Sequence, residues 1–402
     1  MTEAQPRACS LPAVGIVSCL GTDVEATWRG LLAGDTSGLV RRAGFVPGRE
    51  LLVGAVETEL PALPPSLARY ACRNNALSLH ALLQIADAVE DARARYGPSR
   101  LGVVMGTSTS GVGDAEAAIA HQRREGALSP SFYYDQLEFG GAAGFVADYL
   151  GLAGPTYTLS TACSSGARAL ASARSLLRLG LCDAVVAGAA DSLCGLTTGG
   201  FSALQAIAPE RTNPMSAHRA GLTLGEAAAL FLVTREGEGV QLLGVGESSE
   251  AHHMSAPDPG GAGARAAMQA ALADAGLRAE EIAYLNLHGT GTAQNDSMES
   301  LAVEAVLGLD VVCSSTKPLV GHTLGAAGAV EAAFCWLVLR HAEGDALPVP
   351  PHRWDGARDP ALPALHLADA GERAKCRGPA RVMTNSFGFG GNNCTLVLGV
   401  DG

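Results

Sequence analysis

The chain runs to 402 residues, with 28 Lys and Arg against 40 Asp and Glu, a net charge of −12. Hydrophobic residues make up 48% and charged residues 17%, which supplies a large core and excludes global disorder. The acid excess argues against a basic nucleic-acid-binding surface, and no apolar stretch reaches the ~20 residues a membrane-spanning helix needs.

The N-terminal stretch MTEAQPRACSLPAVGIV has no charged-then-apolar leader pattern. The first apolar or β-branched runs, Ala13–Leu20, Leu101–Thr107, Tyr157–Ser160 and Ala184–Ala187, predict buried strands. Helices are predicted between them over Leu77–Tyr96 and Ser165–Leu179. A second set follows, with strands at Val240–Val245, Ile282–Leu287, Val311–Ser315, Val382–Asn385 and Thr395–Val400. Its helices are expected at Gly263–Ala275, Asp296–Leu307 and Leu324–His341. This alternation predicts an α/β protein of parallel sheets with helices on their faces. No Ser-, Pro- or charge-rich linker separates the sets, so two similar halves, 1–240 and 241–402, are expected to pack as one body. Longer insertions fall near 35–75 and 107–145, and the Pro-rich tract of Leu347–Pro351 and Asp359–Pro363 reads as a surface connection. The cysteines form no CxxC pair and read as small buried residues of a reducing, cytoplasmic protein.

Four motifs can carry chemistry. In TLSTACSSGARAL, Cys163 sits where a strand gives way to an Ala-rich helix, at the positive end of the helix dipole. Small neighbours leave its sulfur accessible, as at a nucleophile elbow. In LNLHGTGTAQNDSMES, His288 should end a strand, Gly289 and Gly291 let the loop turn, and Thr290 and Thr292 offer hydroxyls. Asn295 or Asp296 is expected to cap the following helix, with Glu299 three residues beyond Asp296. In SSTKPLVGHTLGAAGAVEA, Lys317 and His322 precede an Ala/Gly-rich helix; a solvated lysine and a capping histidine are the plainer alternatives. In NSFGFGG, glycines flank Phe387 and Phe389, either exposing amides for an oxyanion or forming a tight turn with core aromatics. Cys163, His288 and His322 are too widely spaced for a metal-binding motif, and GVVMGTSTSG lacks phosphate-loop spacing, so neither metal nor nucleotide is expected.

Taken in order, TACSSG, HGTGT, SSTKPLVGHTLGAAGAVE and NSFGFGG closely resemble the β-ketoacyl-acyl-carrier-protein synthases, the elongating Cys-His-His type of the thiolase-like superfamily. GLCDAVVAGAADS, GEAAALFLV and AHHMSAPDP fit in sequence, so the resemblance covers nearly the whole chain. It implies two duplicated βαβαβ halves in a five-layer α-β-α-β-α arrangement, working as a dimer. It also implies an acyltransferase of fatty-acid or polyketide elongation, with Cys163 holding an acyl group and malonyl-carrier protein losing CO2 to attack it. His288 and His322 would stabilise the enolate, and the backbone N–H groups of Cys163 and Phe389 would form a second oxyanion hole. Lys317, paired with Glu299, would bias the local charge; Thr290 and Thr292 would bind the pantetheine arm; Phe389 would gate the acyl pocket beside Phe387. No resident cofactor is implied, since substrates ride on the phosphopantetheine of an acyl carrier protein.

Three departures bear on substrate. Arg219-Ala220-Gly221 stands where the family usually has Arg-Asp-Gly, Asn392 where it has Thr, and Thr109 where a bulky aliphatic lines the acyl pocket. Arg73–Ile85 together with GTSTSG resembles the ketosynthases of aryl-polyene clusters, which implies a heterodimer with a chain-length-factor-like subunit in place of a homodimer. An acidic carrier protein would dock on Arg69, Arg73, Arg123 and Arg124. The rival readings are a non-catalytic chain-length-factor-like partner, disfavoured by the intact Cys163, His288 and His322, and a coenzyme A-dependent thiolase-type enzyme. A thiolase carries a second catalytic cysteine late in the chain, and neither Cys376 nor Cys394 sits in such a motif.

Overall fold

A computed structural model describes residues 8–400. Residues 1–7 and 401–402, with the outer ends of the two expected halves and the start of the N-terminal stretch read for a leader, lie outside the described range. The four apolar runs of the first half become β1 (Cys9–Ser18), β2 (Leu101–Gly106), β3 (Thr156–Leu159) and β4 (Ala184–Asp191), and a fifth strand not among them, β5 (Ala227–Thr234), joins the set. Those of the second become β6 (Val240–Ser249), β7 (Tyr284–Asn286), β8 (Val312–Ser314), β9 (Arg381–Gly388) and β10 (Asn392–Val400). The strand order is β3-β2-β4-β5-β1 in the first set and β8-β7-β9-β10-β6 in the second, one order used twice. A short strand, His366–Leu367, extends the second sheet beside β8. The two sheets meet where β1 and β6 pair at Cys9–Leu242 and Ser10–Gln241.

The sheets are mixed, which corrects the expectation of parallel ones. Within each, three strands run parallel, and the remaining two are added antiparallel. The cause is visible in the second half, where the turn Phe389–Gly391 is far too short for a crossover and folds β10 straight back on β9.

Helices α1 (Arg73–Leu83) and α2 (Gly140–Leu150) cover the outer face of the first sheet. Helix α3 (Ser165–Arg178) lies on the inner side, α4 (Ala262–Ala275) and α5 (Ala293–Leu307) cover the second sheet from outside, and α6 (Ala327–Arg340) joins α3 in the middle. The result is the five-layer α-β-α-β-α stack. Apolar on every side but for Glu331, α6 is buried at all positions except Arg340, as a helix between two sheets must be. β5 is buried along its whole length for the same reason.

Two other expectations change. The helix predicted over Leu77–Tyr96 is α1 plus a separate helix, Ala86–Tyr96, because Gln84 at the break clamps the backbone of Ile16 and Thr22. Leu347–Pro351 is buried, not a surface connection. Prolines bring no N–H that needs a partner, so an apolar Pro-rich segment enters the core at low cost, while Asp359–Pro363 stays at the surface.

The two central helices touch through glycine. A β-carbon on Gly166 would stand 2.6 Å from the Ala329 nitrogen, and one on Gly328 would stand 2.6 Å from the Ala167 nitrogen. Gly328→Ala is therefore expected to destabilise the protein by about 1–3 kcal/mol through overpacking. A denaturant midpoint equal to that of the parent would show that the two helices are not held this tightly.

Candidate active site

Cys163 lies between the end of β3 and the first turn of α3. The loop before it is strained: Ala162 takes φ +50°, a region a β-carbon resists. Two serines fasten it. Ser165 Oγ accepts the Thr161 N–H at 2.9 Å and donates to the Ala162 carbonyl at 2.6 Å, while Ser164 Oγ donates to the Thr161 carbonyl at 2.8 Å. The backbone N–H groups of Cys163 and Phe389 both face the sulfur, with Gly388 packed against the cysteine loop.

His322 occupies the equivalent position in the second half, on the connection from β8 to α6. Its N–H donates to the Thr223 carbonyl at 2.6 Å and its carbonyl accepts the Gly225 N–H at 3.0 Å, so a second-half residue is fastened to the first. Gly321, at φ +76°, lets the chains come this close; a β-carbon there would meet the Leu224 carbonyl oxygen at 2.6 Å. His322 Nε2 thereby reaches Cys163 Sγ at 3.0 Å, and the His288 ring meets the His322 ring edge-on at 5.4 Å.

Behind the histidines the charges are buried and sorted. Lys317 Nζ bonds Glu331 Oε1 at 2.5 Å and approaches His288 Nδ1 at 3.4 Å. The pairing expected with Glu299 is thus corrected: Glu331 on α6 is the partner. Glu299 instead accepts the N–H groups of His288 and Gly289, each at 2.7 Å, and so shapes the loop that aims the imidazole. The α5 cap also differs from expectation. Thr292, in extended conformation, is the N-cap, and Asn295 and Asp296 lie buried inside the helix, where Asp296 binds the N–H groups of Met215 and Gly291.

Burial governs the titration of the whole cluster. It pushes the Cys163 thiol up to about 11, against the pull of Lys317 and the two N–H groups, so the resting sulfur is protonated despite the helix dipole. Burial, assisted by Lys317, holds both His288 and His322 well below the ordinary histidine value, so both imidazoles are neutral. It also lifts Glu299 and Glu331 to about 7.

One organising residue stands outside all four sequence motifs. Asp191, fully buried at the end of β4, accepts the hydroxyls of Thr107 and Thr109 and the N–H groups of Ser108 and Thr109. It also accepts the Gly325 N–H at 2.5 Å, which ties the loop after His322 to the first half. The sequence signal was an acid at the end of an unbroken apolar run, Ala184–Ala190, where a strand end in the core needs a reason for a carboxylate.

A cavity of about 530 Å³ opens on Cys163, His288 and His322 and is lined by Thr290, Thr292, Phe387 and Phe389. Phe389 is 37% exposed, with its ring 5.5 Å from Phe201 at the cavity wall, whereas Phe387 is buried against the His288 ring. Cys376 and Cys394, both buried, are not among the lining residues. Thr109 is not either; its hydroxyl donates to the buried Asp191 carboxylate. Arg219 packs beside the cavity with Nη1 on Asp359 at 2.6 Å, an ion pair next to the unusual Ala220. Of the four candidate docking arginines, Arg69 bonds Asp148 and Arg73 bonds the buried Glu226. Arg123 and Arg124 are exposed in the last turn of the helix Val112–Glu125.

A paired thiol and imidazole facing a cavity, two amides on the sulfur and a second neutral imidazole define a thiolase-like condensing enzyme. The comparisons give the family. Residues 11–238 match the β-ketoacyl synthase N-terminal domain and residues 240–346 its C-terminal domain. A 3-oxoacyl-[acyl-carrier-protein] synthase 2 of Rhizobium meliloti (strain 1021) is 32% identical, over 98% of each chain. The ketosynthase ApeO of Xenorhabdus doucetiae, solved in complex with its chain length factor ApeC, superposes with a TM-score of 0.92 at 44% identity over 98% of each chain. A type II ketosynthase solved with its acyl carrier protein, AntDE:AntF, superposes at 0.84 with 25% identity over 99% of this chain and all of that one. The chain belongs to the β-ketoacyl synthase family. It is an acyltransferase that condenses acyl units in fatty-acid or polyketide synthesis. Among the described residues no helix is long and apolar enough to cross a membrane.

Two outcomes are expected. Iodoacetamide should alkylate Cys163 about tenfold faster per pH unit, without levelling before pH 11, because a thiol with a raised pKa is protonated at neutrality. A rate already level at pH 7 would reveal a standing thiolate–imidazolium pair. Asp191→Ala should cost about 1–3 kcal/mol by leaving buried donors unpaired, and should lower turnover by loosening the His322 loop; unchanged stability and turnover would remove Asp191 from the site's framework.

Proposed function

We propose that Cys163 accepts an acyl chain from the phosphopantetheine thioester of a carrier protein and passes it to malonyl-carrier protein. The observation that carries this is the 3.0 Å contact of Cys163 Sγ with His322 Nε2, made under two backbone N–H groups at the inner end of the cavity. In acyl transfer the sulfur attacks the thioester carbonyl. The Cys163 proton moves through His322 Nε2 to the departing pantetheine thiolate, and the N–H groups of Cys163 and Phe389 hold the oxyanion.

In condensation the malonyl group releases CO2, and the resulting enolate oxygen takes hydrogen bonds from His288 Nε2 and from His322 Nε2, the neutral His322 ring having moved its proton from Nδ1 to Nε2 once the acylated sulfur no longer donates to it. Lys317 sets up the first of these: its ammonium donates to His288 Nδ1, which places the imidazole proton on Nε2, toward the substrate. The enolate carbon attacks the acyl-Cys163 carbonyl, the carbon–sulfur bond breaks, and the sulfur regains a proton from solvent. The products are 3-oxoacyl-carrier protein and CO2. Thr290 and Thr292, whose hydroxyls bond each other at 2.9 Å on the cavity wall, receive the pantetheine arm. Phe389 gates the inner end, no resident cofactor takes part, and the division at 240/241 belongs to the same reading.

The carrier protein docks through Arg123 and Arg124, the pair of the four candidates that makes no ion pair among the described residues. The partner subunit is a chain-length-factor-like protein, a reading supported by the 44% identity to a ketosynthase solved with one. Within such a pair this chain is the catalytic member, because it keeps Cys163, His288 and His322.

Incubation with a panel of saturated, unsaturated and aryl-conjugated acyl-carrier proteins, read by intact mass, should add one acyl group that Cys163→Ala abolishes. His288→Ala should still acylate, while decarboxylation of malonyl-carrier protein falls about 10²–10³-fold. Normal decarboxylation in that variant would refute the role given to His288.

A further inference from the structure

In sequence, 125 residues separate Cys163 from His288 and 34 separate His288 from His322, a spacing no metal-binding motif shares. The fold removes that separation. The Cys163 sulfur and one ring nitrogen from each histidine lie within 4.8 Å of one another, all three buried. A thiolate with two imidazoles is the soft N/S donor set that zinc and cobalt take tetrahedrally, with a fourth position left for water. We propose that Cys163, His288 and His322 form a reversible, inhibitory site for a zinc-like divalent cation, held where the substrate carbonyl would otherwise sit.

The geometry asks for little movement. With metal–sulfur and metal–nitrogen bonds of about 2.3 and 2.0 Å, a tetrahedral site needs its donors roughly 3.3–3.6 Å apart. The Sγ–Nε2 contact of 3.0 Å must open slightly and the longer separations must close, both within the reach of side-chain rotation. Lys317 occupies His288 Nδ1, which leaves Nε2 of that ring as the ligand. The cavity of about 530 Å³ admits the cation and its water.

One nearby charge opposes a bound cation and two carboxylates offset it. Lys317 is the cation next to the cluster, and its ammonium is already bonded to Glu331, with the Glu299 carboxylate buried alongside. His322 binds through the Nε2 lone pair that faces the sulfur, whereas His288 first shifts its ring proton from Nε2 to Nδ1, and the Lys317 ammonium turns from that nitrogen to Glu331 alone. The thiol gives up its proton: binding breaks the Cys163 S–H bond, forms the sulfur–metal bond, and sends the proton to solvent through the cavity. Acylation of Cys163 removes the sulfur ligand, so metal and acyl chain exclude each other.

The test is optical, and it stands apart from the condensation reading because it uses no turnover. Cobalt(II) chloride titrated into the full-length protein should produce a thiolate-to-cobalt charge-transfer band at one equivalent, displaced by zinc. Cys163→Ser, close to isosteric and checked for an unchanged melting temperature, should abolish the band. His288→Gln should weaken cobalt binding at least about tenfold. Absence of the band at millimolar cobalt, or its survival in Cys163→Ser, would overturn the proposal.

Discussion

The first turns of α3 and α6 cross with nothing bulkier than an alanine methyl between them, Gly166 against Ala329 and Gly328 against Ala167. Because α3 follows Cys163 and α6 follows His322, that crossing fixes where sulfur and imidazole can meet. A backbone contact tolerates far less variation than a contact between long side chains, since its closest atoms cannot rotate away. The 3.0 Å sulfur–nitrogen distance is thus inherited from helix packing. The bonds from His322 to Thr223 and Gly225, and from Gly325 to Asp191, keep the loop from drifting once the helices have placed it.

Enclosing that meeting point between two sheets has an electrostatic consequence. Water is largely excluded, so the charged form of every group is disfavoured unless a partner supports it. The thiol and both imidazoles respond by staying neutral. Lys317 bonds Glu331 at 2.5 Å, and its charge biases both imidazoles further against protonation. A neutral imidazole offers one N–H to an enolate and keeps one lone pair for its neighbour, which a decarboxylating site requires and an imidazolium would not supply.

The residues that touch the reaction were legible in the sequence because each stands beside glycine or alanine, Cys163 and His288 just past a strand end and His322 in the loop before α6. Cys163 in TACSSG and His288 in HGTGT could be placed at turns from local pattern alone. What the pattern hid was pairing across long sequence distance. Lys317 has Glu299 and Glu331 at similar separations in the sequence, and only the packing of α6 chooses Glu331. Asp191 was concealed for a related reason: its donors lie on Thr107–Thr109 and Gly325, far apart until the halves close. The fold class followed from alternating apolar runs and helices. Strand direction did not, because β4 and β5 are buried on both faces and read alike whichever way they run.

The repeated topology explains why the site straddles the two halves. The connection leaving β3 for α3 and the one leaving β8 for α6 are topological equivalents, and the central layer brings their ends together. One end presents a thiol and the other an imidazole, so the duplicated position supplies two different reagents to one reaction. The first half contributes Cys163 and Asp191; the second contributes His288, His322, Lys317, Glu299 and Glu331. Separated, the first half would hold a thiol with no acceptor for its proton, and the second would lose the backbone bonds that aim His322. Chemistry therefore depends on the seam between the sheets, where glycine keeps the helices close and Asp191 ties the loops.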